Sequence, residues 1–133
     1  GEKTAEEIKL SLGAALIGGM ERRQFKGRSL KTGLPECVAL TGGEVSHAIA
    51  PTVRKIVDSV KRTLSETPPE LAADLIDTGI VLTGGGAKLK GLDKLISHET
   101  GLKVSIAEDP MYCVALGALK LGSGEDMDAP RYA

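Results

Sequence analysis

Thr83-Gly84-Gly85-Gly86-Ala87 follows directly on the apolar run Gly79-Ile80-Val81-Leu82. Residues 88–99 after it have helix-like spacing, so the glycines occupy a strand-to-helix turn. Three positions without side chains let backbone approach a flat or charged ligand closely, and amides at a helix start favour anionic or polar groups. The plainer alternative is a tight turn that needs positive φ, for which one glycine suffices. The turn is not a Walker phosphate loop, because Gly91 is followed by Leu92 and Asp93 rather than a Lys-Ser/Thr pair. It is not the dinucleotide fingerprint either, since Leu89 stands where the last glycine belongs.

Downstream of the turn, Leu92, Leu95 and Ile96 predict a helix ended by Gly101, and Lys103-Val104-Ser105-Ile106-Ala107 predicts a strand. Asp109-Pro110 is expected to start a last helix carrying Val114, Leu116, Leu119 and Leu121. Residues from about 78 onward therefore read strand, helix, strand, helix, which implies parallel strands joined by a right-handed crossover. The unbroken apolar run Ile80-Val81-Leu82 suits a strand covered on both faces.

Upstream, Thr4-Ala5-Glu6-Glu7 has the form of a capping box. The helix after it places Ile8, Leu12 and Ala15 on one face and Glu6 beside Lys9, with Gly18-Gly19 as its end. Arg22, Arg23, Lys26, Arg28 and Lys31 then form a basic stretch, either a solvated hairpin or a contact for an acidic partner. Thr32-Gly33-Leu34-Pro35 is a turn signal, and residues 36–40 read as a short strand. Thr41-Gly42-Gly43-Glu44 is a second capping box. It heads a stripe of Val45, Ile49, Val53, Ile56, Val57, Val60 and Leu64, with a bend or a junction of two helices expected at Pro51. Thr67-Pro68-Pro69-Glu70 caps a third helix with Leu71, Leu75 and Ile76.

Composition narrows the function. The chain has 133 residues and a net charge of −1, so the total charge does not point to nucleic acid or a membrane surface. Its aromatics are Phe25, Tyr112 and Tyr132, which leaves no stacking platform for single strands. Cys37 and Cys113 form no disulfide framework; they are expected to be small buried residues in a reduced, cytoplasmic setting. His47 and His98 lack metal-ligand spacing and read as surface or helix residues. No signal peptide or bilayer-length apolar stretch is evident. Gly1-Glu2-Lys3 opens directly on a helix, as a piece of a longer protein would.

A ligand in such a fold sits at the carboxyl ends of the strands, between lobes. That arrangement sets the glycine turn and the Glu6/Lys9 face on opposite walls of one cleft. The segments 1–9, 32–35, 67–74, 79–87, 91–93, 99–101 and 107–110 together, in that order, resemble the carboxyl-terminal portion of the MreB family of bacterial actins. The likeness covers nearly the whole chain to Leu121. Residues 16–23, basic toward their end, depart from the family's pattern.

The resemblance implies an α/β fold: a ribonuclease H-like, actin-like ATPase half-molecule with a small mixed α+β subdomain. Residues 1–50 would be the small subdomain (IIB) and 51–122 the ribonuclease H-like one (IIA), with 123–133 a loose acidic tail. It implies that Gly84, Gly85, Gly86 and Ala87 form the adenosine motif for ATP, and that Glu6 and Lys9 contact adenine or ribose. Lys88 stands where the family usually carries an apolar residue. In the chaperone relatives a cation there stacks on the base, so Lys88 is either such a cation, worth about 1 kcal/mol, or a surface lysine. Magnesium, the phosphate loops and the catalytic residues would come from the family's other portion, and phosphoryl transfer needs them. This chain is therefore not expected to hydrolyse ATP alone. Expected partners are other protomers in a filament and a RodZ-like cytoplasmic domain, without nucleic acid and without direct membrane insertion by this part. The location would be the cytoplasm, at the inner face of the membrane through the longer protein or its partners. Two other classes remain beside this one: a stand-alone interaction module that no longer binds nucleotide, and a phosphotransferase, for which no catalytic carboxylate is apparent.

Overall fold

The structure, a computed structural model, describes residues 1–17 and 19–123. Helix α1 spans Glu2–Leu12 and is followed by the strands β1 (Arg22–Arg28) and β2 (Pro35–Thr41). Helices α2 (Gly42–Glu66) and α3 (Pro69–Thr78) come next. Strand β3 (Ile80–Leu82), a 3-10 turn (Gly85–Lys88), α4 (Leu92–Thr100), β4 (Val104–Ile106) and α5 (Cys113–Ser123) complete the order.

The first helix begins earlier and ends sooner than its sequence suggests. Gly1 is its N-cap, without a side-chain bond, so Thr4 lies within the first turn and caps nothing. Gly13 ends it, and its amide bonds the Lys9 carbonyl at 2.8 Å. A Cβ at Gly13 would collide with that same carbonyl oxygen, which explains a glycine at this stop. Ala15 therefore lies beyond the helix; its amide donates to the Lys90 carbonyl at 2.8 Å, tying this chain segment to the glycine region.

The basic stretch forms an antiparallel hairpin in which Lys26 faces Cys37 and Phe25 faces Val38. Gly33 at its tip has φ 71°, as the turn requires. Both faces of the hairpin are largely solvated, so Cys37 is exposed rather than buried, and Cys113 is only half-buried.

The capping box at the start of α2 is complete. The Glu44 amide donates to the Thr41 hydroxyl at 3.2 Å, and the Glu44 carboxylate accepts from the Thr41 amide at 2.8 Å. The helix then runs unbroken through Pro51 to Glu66, so the expected junction of two helices is absent. Packing overrides the proline here: Val53 and Val57 lie in the core on the turns that follow it. At α3, Pro68 is the N-cap and Pro69 the first helical residue. The Thr67 hydroxyl bonds back to Thr63 in α2 instead of capping α3.

Strands β3 and β4 are parallel, with Ile80 beside Val104 and Leu82 beside Ile106. Val53 and Val57 of α2 pack with Leu92 and Ile96 of α4 to make the core, and Ile96 is fully buried. Ile80, Leu82 and Val104 pack on it from the sheet. Full burial of a side chain such as Ile96 contributes about 1.5–3 kcal/mol, and the half-buried sheet residues contribute less. Val81, on the other face of β3, is 40% exposed, so only one face of this strand is covered within the described residues. The final helix starts at Cys113, after a turn closed by the Tyr112 amide on the Asp109 carbonyl, rather than at Asp109. Ser123, the last described residue, still belongs to that helix, and the rest of the expected acidic tail lies outside the described residues, as does Gly18.

Candidate functional site

The glycine run opens a 3-10 turn of four residues, and α4 begins only at Leu92, so the turn does not lead directly into a long helix as its spacing suggests. Gly84 has φ 77° and ψ 179°, a conformation that side chains exclude. Its amide donates to the Pro110 carbonyl at 2.6 Å, which pins the turn to the segment before α5. A Cβ added at Gly85 or Gly86 would meet nothing within 4 Å. Packing inside the molecule therefore does not demand glycine at these two positions; what their bareness leaves is room beside the backbone. Ala87 is buried, with its side chain in the interior beneath the turn.

That room is part of a cavity of about 360 Å³, the size of small-molecule sites. Gly85, Gly86 and Lys88 line one side and Lys9 lines the side formed by α1. Ile49, Val53 and Ile56 of α2 form an apolar floor. The walls are held together by the Ala15–Lys90 bond already described and by Gly13, whose bare backbone also lines the space.

Charge around the cavity is mostly positive. Lys9, Lys88 and Lys90 all reach it. Glu6 pairs with Lys9 at 2.7 Å, three residues earlier on the same helix face, and both side chains are about half exposed. An apolar floor, a bare backbone edge and a lysine rim together suit a flat ligand that carries anionic groups.

The residues expected from sequence thus meet in part. Lys9, Gly85, Gly86 and Lys88 share one cavity; Glu6 does not line it and meets only Lys9; Gly84 and Ala87 do not line it and belong to the turn behind it. The lining residues that sequence reasoning missed include Lys90 on the rim, Gly13, Thr52 and the three α2 residues of the floor. The α2 residues belong to an apolar stripe that looks the same whether it faces core or ligand. Gly13 could have been found, because it interrupts a helical pattern four residues, about one turn, after Lys9. A second depression, between α4 and β4, is lined by Asp93, Lys94, Ser97, His98 and Val104 and draws on none of the expected site residues.

The MreB/Mbl protein family matches this sequence over residues 1–129. The chain belongs to the MreB/Mbl family. Cell shape-determining protein Mbl of Bacillus cereus is 44% identical over 118 residues, covering 88% of this chain and 35% of the relative. Cell shape-determining protein MreB of Escherichia coli is 45% identical over 121 residues, covering 90% and 35%. The chain thus spans about a third of the length of these MreB and Mbl relatives. Its fold matches MreB5 of Spiroplasma citri, crystallised with ADP, at a TM-score of 0.85 and 33% identity, over 93% of this chain and 38% of that one. The same MreB5 bound to AMPPNP matches equally well. The α/β architecture is accordingly that of an actin-like half-molecule.

Proposed function

We propose that this chain forms the adenosine side of the nucleotide cleft of an MreB-type bacterial actin, in which ATP promotes assembly into filaments that organise cell shape and wall synthesis. The observation that carries this is the meeting of Lys9 with Gly85, Gly86 and Lys88 on one cavity, from segments more than half the chain apart. Similar MreB5 chains, crystallised with ADP and AMPPNP, support the choice of an adenine nucleotide. In this proposal the bare edge of Gly85 and Gly86 lies against the nucleoside, with Gly84 and Ala87 fixing the turn. Lys9, steadied by Glu6, meets the base or ribose, and Lys88 closes over the ring. Residues 1–50 and 51–122 serve as the two subdomains, and α2, which crosses residue 50, is their shared strut. Other protomers and a RodZ-like domain are the proposed partners, in the cytoplasm. Among the described residues no helix is long and apolar enough to cross a membrane.

Titration of the chain with ADP, followed by amide NMR shifts, tests the site. A cleft with one wall binds weakly, and an affinity of about 1 mM (about −4 kcal/mol) is expected, with the largest shifts at Gly85, Gly86 and Lys9. Gly86→Leu fills the space beside the turn and is expected to abolish these shifts with an unchanged melting curve. An intact fold that shows no shift up to about 10 mM ADP overturns the nucleotide role and favours a stand-alone adaptor.

A further inference from the structure

The cavity beside the glycine turn holds more positive charge than a nucleoside uses. Lys9, Lys88 and Lys90 line it, and among the described residues no Asp or Glu does. Glu6 answers Lys9 at 2.7 Å. Lys88 and Lys90 are in no ion pair among the described residues. Lysines scattered over a flat surface need no partner but water. These two stand at the rim of a concave space with an apolar floor, where walls of low polarity focus the field of like charges and draw in an anion.

In the proposed function adenine and ribose, both uncharged in neutral water, lie on this wall, and the 5′ phosphates extend toward the family's other portion. Lys88 then covers the ring and Lys90 has no contact. Yet Lys90 is held in place. Its carbonyl accepts from the Ala15 amide at 2.8 Å, the bond that joins the two sides of the cavity. Gly91, at φ 76°, turns the chain away from it into α4. The Lys90 side chain takes no part in either feature and projects its charge beside the place given to the ribose.

We infer that the cavity takes an adenine nucleotide phosphorylated on the ribose, at its 2′ or 3′ hydroxyl, with Lys90 as the main partner of that phosphate and Lys88 adding its charge. A phosphate monoester carries about −1.5 to −2 near neutrality, which the two unpaired lysines match. This inference rests on the adenosine site of the proposed function and adds the class of ligand to it.

Amide NMR titrations of the chain with ADP, adenosine 3′,5′-bisphosphate and adenosine 2′,5′-bisphosphate test it, because all three carry two phosphates and differ in where these sit. At least one of the ribose-phosphorylated nucleotides should bind roughly tenfold more tightly than ADP, and the tighter of the two identifies the hydroxyl. That advantage should shrink between about 0.05 M and about 0.5 M salt, as screening shortens the reach of the charges. Lys90→Gln should reduce it to about twofold or less. Lys94→Gln removes the same charge from α4, at the depression away from this cavity, and should keep it. Both positions are exposed, and circular dichroism checks that the variants fold. Binding of ADP with no gain from either bisphosphate overturns this inference and leaves the adenosine site standing. An advantage that survives Lys90→Gln, or that Lys94→Gln removes equally, also overturns it, since the gain then comes from elsewhere on the chain. A folded chain that shifts with none of the three nucleotides overturns both.

Discussion

Gly84 and Gly85 are neighbours with opposite demands. Gly84 sits at φ 77° and ψ 179°, where an alanine is strained whatever space surrounds it. Gly84→Ala should cost about 1–3 kcal/mol in denaturant unfolding. Gly85 has an ordinary backbone and open space, so Gly85→Ala should stay within about 0.5 kcal/mol. Equal losses at both positions would show that the turn is shaped by something other than the Gly84 backbone. Three glycines in a row made the turn visible in the sequence, but not which one is conformationally required. Cys37 marks the opposite limit. Its residue type favours burial, yet among the described residues no sheet is stacked on the hairpin that holds it, and pairing with Lys26 leaves it solvated. Single residues report their own preferences, not what will be laid over them.

Among the elements, α2 was the most legible and also the most misleading. Its capping box and its apolar stripe both match the structure, because they depend on spacing within one helix. Its continuity through Pro51 depends on Val53 and Val57 meeting Leu92 and Ile96 from far along the chain. The cavity floor was hidden for the same reason: Ile49, Val53 and Ile56 are periodic like any core residues. The cap has a pH signature. Hydrogen bonds from the Thr41 amide, and then from its hydroxyl, hold the Glu44 carboxyl below its ordinary pKa. Lys61 does the same to Glu99, through a hydrogen bond reinforced by its charge. A carboxyl whose pKa is lowered by folding stabilises the fold above its unfolded pKa, and that contribution is lost as pH falls through the folded value. Thermal midpoints should therefore be level near neutrality and fall below the ordinary carboxylate range. Glu44→Gln should lower the neutral plateau and make the acid limb shallower. An acid limb that is unchanged in the variant would remove the cap as its cause.

At the scale of the molecule, the interior is strongly one-sided. Among the described residues Val53, Val57, Leu92 and Ile96 of α2 and α4 make the buried core, while α5 has no buried residue and shows Val114 and Leu119 to solvent, and β3 shows Val81. Exposed apolar area of this extent marks an interaction surface or an association hazard. An apolar fluorescent dye should brighten on the native chain at neutral pH. Replacing Val114 and Leu119 with serine should cut that signal without loss of helical circular dichroism. A dye that stays dark on the unmodified chain would show that the surface is covered in solution. The order of strands and helices from β3 to α5 was legible because each has its own period and its own stop. Coverage was not, since a run such as Ile80-Val81-Leu82 reads as doubly buried whether or not a second layer is present.

Pro51 lies between Ile49 and Thr52, both on the cavity wall. A proline has no amide to donate, so the His47 carbonyl one turn earlier loses its partner in the helix. The rod of α2, 25 residues and about 37 Å long, is therefore one hydrogen bond short beside the cavity. Since β2 runs straight into one end of that rod and α3 follows the other, a slight flexure at this point is magnified toward both extremities.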